Sequence, residues 1–439
     1  MKPTRTALIV VASLAAVLRA PAQQDRRWNG PFKEDIAAVL PEAEALYLDL
    51  HRNPELSLQE RRTSALLAER LRTLGYDVTT GVGGYGVVAI LRNGAGPTAL
   101  LRTDTDALPV EEKTGLPYAS TVTMKNAAGA TVPVMHACGH DLHMASWFGT
   151  ARLMAQNRQG WHGTLMLIAQ PAEEIGVGAA AMLKDGLLTR FPKPSFAFAI
   201  HDDVLPAGHI GYTSGYAYAA ADAVEITIFG RGGHGAQPEN TIDPIVIGAR
   251  TVLALQTIVS RENNPRDPAV VTVGSFQGGT QNNVIPDEVR LLLTVRTYRP
   301  EVRKRILSSI ERIAKAEALA GGAPREPLVV TKPAANAEYN DPGLTARMSG
   351  RLREALGREA VVEVPAKMVF EDFAEFALAG VPSLLISVGA VDPQKFAAAQ
   401  QSGSVLPGTH SSLWAPDYQR AIPTALQAEV TLLLEALGH

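Results

Sequence analysis

Residues 133–145 read PVMHACGHDLHMA and contain the only cysteine of the chain. Cys138 lies between His136 and His140, with Asp141 and His143 close behind. A thiolate beside an imidazole suits zinc or another borderline transition metal. Read as an extended segment, the two-residue spacing turns Cys138 and His140 to the same side. Two other readings stand beside that one: a small buried apolar residue, and a Cys–His nucleophile. The surrounding carboxylates suit a cation better.

A second cluster follows TLMLIA (164–169), where QPAEE sets Glu173 and Glu174 side by side. At a strand end, one carboxylate of such a pair can face a metal while its neighbour reaches a water, takes its proton and passes it to a leaving group. Gln170-Pro171 before the pair and Gly176-Val177-Gly178 after it argue against an ordinary helix surface. Two more apolar runs lead into similar residues. TALLR (98–102) runs into Thr103-Asp104-Thr105-Asp106, and FAFAI (196–200) runs into His201-Asp202-Asp203. Near the C-terminus, Gly408-Thr409-His410-Ser411-Ser412 sets another histidine in a loop. Each of these taken singly also reads as solvated surface. Their shared position is the signal, because open α/β sheets bind ligands outside the carboxyl ends of their strands.

These clusters need a scaffold. Lys33 to Arg52 and Glu60 to Leu74 read as helices, and VVAIL (87–91), TALLR, TLMLIA, FAFAI and SLLISV (383–388) read as buried strands between helical stretches. The fold class is α/β, with a largely parallel central sheet flanked by helices. A middle segment behaves differently. AVEITIF (223–229), a helix over 244–259, AVVTVGSF (269–276), EVRLLLTVRT (288–297), a helix over 300–320 and PLVV (327–330) follow the β-α-β-β-α-β order of a ferredoxin-like sandwich. The expected organisation is a catalytic domain over 23–219 and 334–439, interrupted by a smaller domain over 220–333.

At 439 residues, with 46% apolar and 19% charged, the chain can bury two ordinary cores. A net charge of -3 shows no basic excess, so no nucleic-acid or anionic-membrane partner is expected. Lys2 and Arg5, an apolar run from Ala7 to Leu18 and then Ala20-Pro21-Ala22 read as a secretory leader cleaved after Ala22, hence a periplasmic or secreted protein. An uncleaved anchor is the alternative, although Arg19 interrupts the apolar run. After removal of the leader no membrane association is expected.

With these residues assembled, the sequence resembles the co-catalytic metal amidohydrolases, which include aminoacylases, hippurate hydrolase, plant auxin-conjugate hydrolases and related metallo-carboxypeptidases. The matching elements are HRNPELSLQE (51–60), LLRTDTDALPV (100–110), MHACGHDLHMA (135–145), QPAEE (170–174), the His201 loop, GRGGHGAQPENTIDPI (230–245), NNVIPD (282–287), EDFA (371–374) and GTHSS (408–412). The resemblance implies that the inserted domain is a lid that also dimerises. It implies Cys138, His140, Glu174, His201 and His410 as ligands of divalent ions, two per subunit, drawn from zinc, manganese, cobalt or nickel. It further implies Glu173 as general base and Asp106 as a carboxylate orienting a ligand. By the same likeness His234 reaches the partner subunit's site to stabilise an oxyanion, Asn283 and Arg296 contact substrate, and Glu371 lies near the site. Relatives of this subgroup have small residues before Glu371, where this chain has Val369-Phe370.

The expected activity is hydrolysis of the amide bond of an N-acyl amino acid or small peptide by a homodimer. A carboxypeptidase or dipeptidase is the rival within that class. A metal-dependent binding protein without turnover and a cysteine hydrolase using Cys138 are rivals of other kinds.

Overall fold

The computed structural model describes residues 33–438. The proposed leader lies outside the described residues. Within them, no helix is long and apolar enough to cross a membrane.

An eight-stranded sheet carries the larger part of the molecule. Across it run Asp77–Val82, Gly86–Asn93, Gly163–Gln170, Thr98–Asp104, Phe196–Pro206, Ser383–Val391, Ile210–Tyr212 and Val361–Glu363. Gly163–Gln170, Thr98–Asp104, Phe196–Pro206 and Ser383–Val391 are mutually parallel and form its centre. The run VVAIL departs from that pattern: it belongs to a hairpin with Asp77–Val82 and pairs antiparallel with Gly163–Gln170.

The unbroken apolar runs arise because both faces of this sheet are covered. Val87, Ala89 and Leu91 point into a core shared with the helices Lys33–Arg52, His140–Gln156, Pro342–Leu356 and Tyr418–Leu437. Val88 and Ile90 point the other way, against Ala179, Met182, Phe373 and Phe376. Three helices begin at an Asp-Pro step. Asp243, Asp341 and Asp392 each cap the first amides while Pro244, Pro342 and Pro393 supply a preset φ.

The lid is a separate antiparallel sheet in the order Ala269–Gln277, Glu288–Thr297, Ala220–Phe229 and Leu328–Ala335. Helices Pro244–Thr257 and Pro300–Ala320 pack on it around a core of its own. Along Glu288–Thr297, Val289, Leu291, Leu293 and Val295 are buried in strict alternation, as one covered face requires. Ile306, Ile310, Ile313 and Ala314 form the buried stripe of the second helix.

Candidate metal centre

Local geometry departs from the sequence expectation in two places. Cys138 and His140 do not lie in an extended segment: His140 opens the helix His140–Gln156, and Gly139 turns the chain between them at φ 74°. A side chain at 139 would put its Cβ 2.1 Å from Asp202 Oδ2, so the turn needs glycine on two counts. His201 does not follow its strand but lies within it, since Phe196–Pro206 continues past the apolar run.

The structure brings Cys138, His140, Glu174, His201 and His410 together. The donor atoms of Cys138, His140 and His201 lie within 4.8 Å of one another, and so do those of Cys138, Glu174 and His410. Cys138 thus belongs to both triplets. Its sulfur stands 3.4 Å from His201 Nε2, and His410 Nε2 stands 3.3 Å from Glu174 Oε2.

Two of the three histidines are oriented through their other ring nitrogen. His140 Nδ1 donates to the Asp106 carbonyl at 2.7 Å, and His201 Nδ1 donates to the Asp202 carbonyl at 2.7 Å. Both rings are therefore held with Nε2 turned inward, as metal-ligating imidazoles are. His140 Nε2 and Glu174 Oε1 are buried with no hydrogen-bond partner among the described residues. Orphaned donors of this kind, converging with a thiol, fit divalent cations.

The electrostatics agree. Burial favours a neutral His140, but Asp104, Asp106 and Glu174 outweigh it and hold the ring well above its usual pKa. Burial raises Glu174 to about 8, with His140 pulling it down and Asp106 pushing it up. Burial and the carboxylates of Glu174, Glu173, Asp202 and Asp104 push the Cys138 thiol well up. A free nucleophilic thiolate needs electropositive surroundings. These surroundings call for added positive charge instead.

Glu173 lies beside this centre, its Oε2 3.8 Å from His140 Nε2. Burial, then Glu371, Glu174 and Asp372, raise its pKa well above the ordinary range, with Arg102 opposing. Asp106 sets the loop that carries the pair: its Oδ1 accepts the Glu173 amide and its Oδ2 the Glu174 amide, each at 3.1 Å. Asp104 accepts from His143 Nδ1 at 2.8 Å and from Arg102 at 2.6 Å. Both nitrogens of His143 are occupied, because Nε2 accepts the Asp202 amide at 2.8 Å. With both nitrogens engaged, it braces the site.

His234, Asn283 and Arg296 are not brought into this cluster within the chain. His234 and Asn283 lie on or beside an exposed two-stranded ribbon of the lid, Gly233–His234 with Val284–Ile285, where the Asn283 carbonyl accepts the Gly235 amide at 2.8 Å. Arg296 lies on Glu288–Thr297 and donates to Thr294 Oγ1 at 2.6 Å. Glu371 is buried at the floor of the site, accepting from Arg102 at 2.8 Å.

The model of peptidase family M20/M25/M40 matches residues 100–402. The chain belongs to this family. Hippurate hydrolase of Campylobacter jejuni is 39% identical over 288 residues, covering 65% of this chain and 72% of its own. Thermostable carboxypeptidase 2 of Saccharolobus solfataricus is 35% identical over 395 residues, covering 89% and 91%. The crystal structure of a dinuclear metal-binding M20 peptidase from Bacillus subtilis superposes with a TM-score of 0.73 at 30% identity, covering 91% of this chain and 99% of that one. The M20 chain described here is thus an enzyme of the metallo-amidohydrolase and peptidase class.

Sequence reasoning missed much of what braces this M20 site. Arg102, fully buried, joins Asp104, Glu371, Asp372 and Gln170 in one network. A cation inside the apolar run TALLR was the available signal. His51 donates to Asp141 at 2.6 Å and lies 3.2 Å from Glu112. Burial lowers the His51 pKa, but those two carboxylates raise it to about 10. The ion pair fixes the residue next to His140.

Proposed function

We propose that this enzyme hydrolyses the amide bond of N-acyl amino acids, holding two divalent ions through Cys138, His140, Glu174, His201 and His410. The observation that carries the reading is the pair of overlapping donor triplets sharing Cys138, with orphaned His140 Nε2 and Glu174 Oε1, beside a separate carboxylate on Glu173. Ions held by these residues would supply positive charge that polarises the scissile carbonyl and acidifies a water. Glu173 takes a proton from that water as its oxygen attacks the carbonyl carbon. As the C–N bond breaks, Glu173 delivers the proton to the departing nitrogen. The products are a carboxylate and a free amine.

N-acyl amino acids are favoured over longer peptides by the likeness to hippurate hydrolase. The likeness to a carboxypeptidase keeps dipeptides as the second reading. Chelator-treated protein, reloaded in turn with zinc, manganese, cobalt and nickel, is to be given N-acetyl, N-benzoyl and indole-acetyl amino acids and dipeptides. Amino-acid release that vanishes on chelation and returns with metal is expected. Metal-loaded protein that releases nothing from any of them counts against the reading.

We also place His234, Asn283 and Arg296 at the site of a partner subunit, in a homodimer joined through the lids. Ala269–Gln277 is an edge strand, and Val246 and Leu253 on the neighbouring helix are 56% and 72% exposed. An open edge beside exposed aliphatic residues is a natural surface for a second copy. Sedimentation is expected to give a dimer, and His234→Ala is expected to remain dimeric while losing on the order of 10²-fold in kcat. A strictly monomeric protein with full activity overturns the arrangement. The Ala20-Pro21-Ala22 leader supports export, and the mass of the protein recovered from a periplasmic fraction tests it.

A further inference from the structure

Among the described residues, three that are not glycine adopt positive φ: Leu58 at 64°, Ala172 at 53° and His410 at 67°. L side chains rarely take this conformation, so the surroundings must hold it. His410 is one of the donors above. The other two are tied to a single atom. Glu60 Oε1 accepts the Leu58 amide at 2.9 Å and the Ala172 amide at 2.8 Å. Glu60 is fully buried, and its Oε2 has no partner.

The place of Glu60 in the chain makes this use of its carboxylate informative. It stands immediately before the helix Arg61–Thr73, yet its side chain makes no capping bond to that helix. An acidic residue at such a position ordinarily takes the free amides of the first turn. Here Glu55 takes them, accepting from Arg62 at 3.0 Å and from Thr63 at 2.8 Å. Glu60 is released to reach a loop far away in sequence.

Ala172 is the residue before Glu173 and Glu174. Three successive amides, 172 to 174, therefore point at two carboxylates: the first at Glu60, the next two at the oxygens of Asp106. The Ala172 carbonyl in turn accepts the amides of Val177 and Gly178, both at 3.2 Å. A change of φ at 172 swings the Cα–Cβ bonds of both glutamates together.

We propose that Glu60 is a positioning residue of this site, whose Oε1 locks Ala172 in the left-handed region and so fixes where the Glu173 and Glu174 carboxylates point. The inference rests on the reading of Glu173 as base and Glu174 as ligand. Glu60 touches neither substrate nor reacting atoms. Its acceptor oxygen does the positioning and its charge does not, so glutamine replaces it and alanine does not.

The test uses the full chain with Glu60→Ala, Glu60→Gln, Ala172→Val and the double variant Glu60→Ala with Ala172→Gly. Two quantities are read: kcat and KM on the best acyl substrate, and zinc affinity of chelator-stripped protein by competition titration. Glu60→Ala is expected to lower kcat and weaken zinc binding by on the order of 10–100-fold each, with KM within about threefold of the parent. Glu60→Gln is expected to stay within about threefold on both, since it keeps the oxygen. Ala172→Val is expected to behave as Glu60→Ala does, because a β-branched residue resists positive φ. Glycine at 172 takes that φ freely and is expected to restore part of both losses. Parent-like values for Glu60→Ala, an equal fall for Glu60→Gln, or no recovery in the double variant overturns the proposal. If Glu60→Ala does not fold, Ala172→Val carries the test, and parent-like values there overturn it. The zinc titration needs no substrate. A chain inactive on every acyl amino acid whose zinc affinity still follows this pattern retains the positioning role and loses the hydrolase reading.

Discussion

Glu173→Gln is expected to bind metal as the parent does and to lose turnover by on the order of 10³-fold. Glutamine keeps the shape of the side chain and an acceptor oxygen, but it cannot carry a proton from water to the leaving nitrogen. The geometry separates the two adjacent glutamates. Both carboxylates stand 3.8 Å from His140 Nε2, but Glu174 alone of the two also lies 3.3 Å from His410 Nε2 and has a buried oxygen with no hydrogen-bond partner among the described residues. The Glu173 carboxyl is held well above its ordinary range by burial, then Glu371, Glu174 and Asp372, with Arg102 opposing. Elemental analysis alongside kcat decides the matter. Turnover near the parent value rules out Glu173 as the base, and loss of metal together with turnover moves Glu173 into the ligand set.

The largest expected effect on stability belongs to Arg102→Met. The Arg102 guanidinium is fully buried and pairs with Asp104 at 2.6 Å, Glu371 at 2.8 Å and Asp372 at 3.1 Å. Methionine fills most of the volume but leaves three carboxylates without their cation, and breaking a buried ion pair from one side costs about 3–5 kcal/mol. The pH dependence follows from the sign of the shifts. In the parent, burial raises Asp104, but His140, His143 and Arg102 overcome it and hold its pKa well below the usual value. That contribution is present above the unfolded pKa and is lost as pH falls. Asp372 stands at about 7, raised by burial and lowered by Arg102. Without Arg102 the Asp104 and Asp372 carboxyls both move upward in the folded state only, and an upward move of a folded-state carboxyl pKa costs stability as pH rises. The deficit of the variant relative to the parent is expected to be larger at about pH 8 than at about pH 5 in urea unfolding. An equal deficit at both values counts against the electrostatic account.

The residues that converge on the candidate centre were legible only as a set. A cysteine two residues from a histidine, a glutamate pair after a strand and a histidine in a glycine-bounded loop each also read as surface, and it was their shared place at strand ends together with the family resemblance that singled them out. The split sandwich of the lid was legible more directly, since period-two burial along Glu288–Thr297 and a four-and-seven stripe along Pro300–Ala320 are sequence patterns. What holds the site in place was not. Arg102 meets Glu371 and Asp372 from the far end of the chain, and Glu60 meets Ala172 across a separation no periodicity encodes. The short strands Ile210–Tyr212 and Val361–Glu363 were missed because three residues show no alternation to read. The position of His201 depends on how far Phe196–Pro206 stays paired, and its parallel partner Ser383–Val391 fixes that.

The same pairing bears on how the molecule is made. Phe196–Pro206 lies between Thr98–Asp104 and Ser383–Val391, with the whole lid separating it in sequence from the second neighbour. A chain synthesised from its N-terminus exposes one side of this apolar strand for roughly 10–40 s at 5–20 residues per second. During that wait the lid, a continuous segment with its own core, can collapse while the sheet that carries the metal donors stays open-edged. Closure of the larger domain is thus a late, long-range event, and the interval before it is when the nascent chain is most exposed to strand-to-strand misassembly.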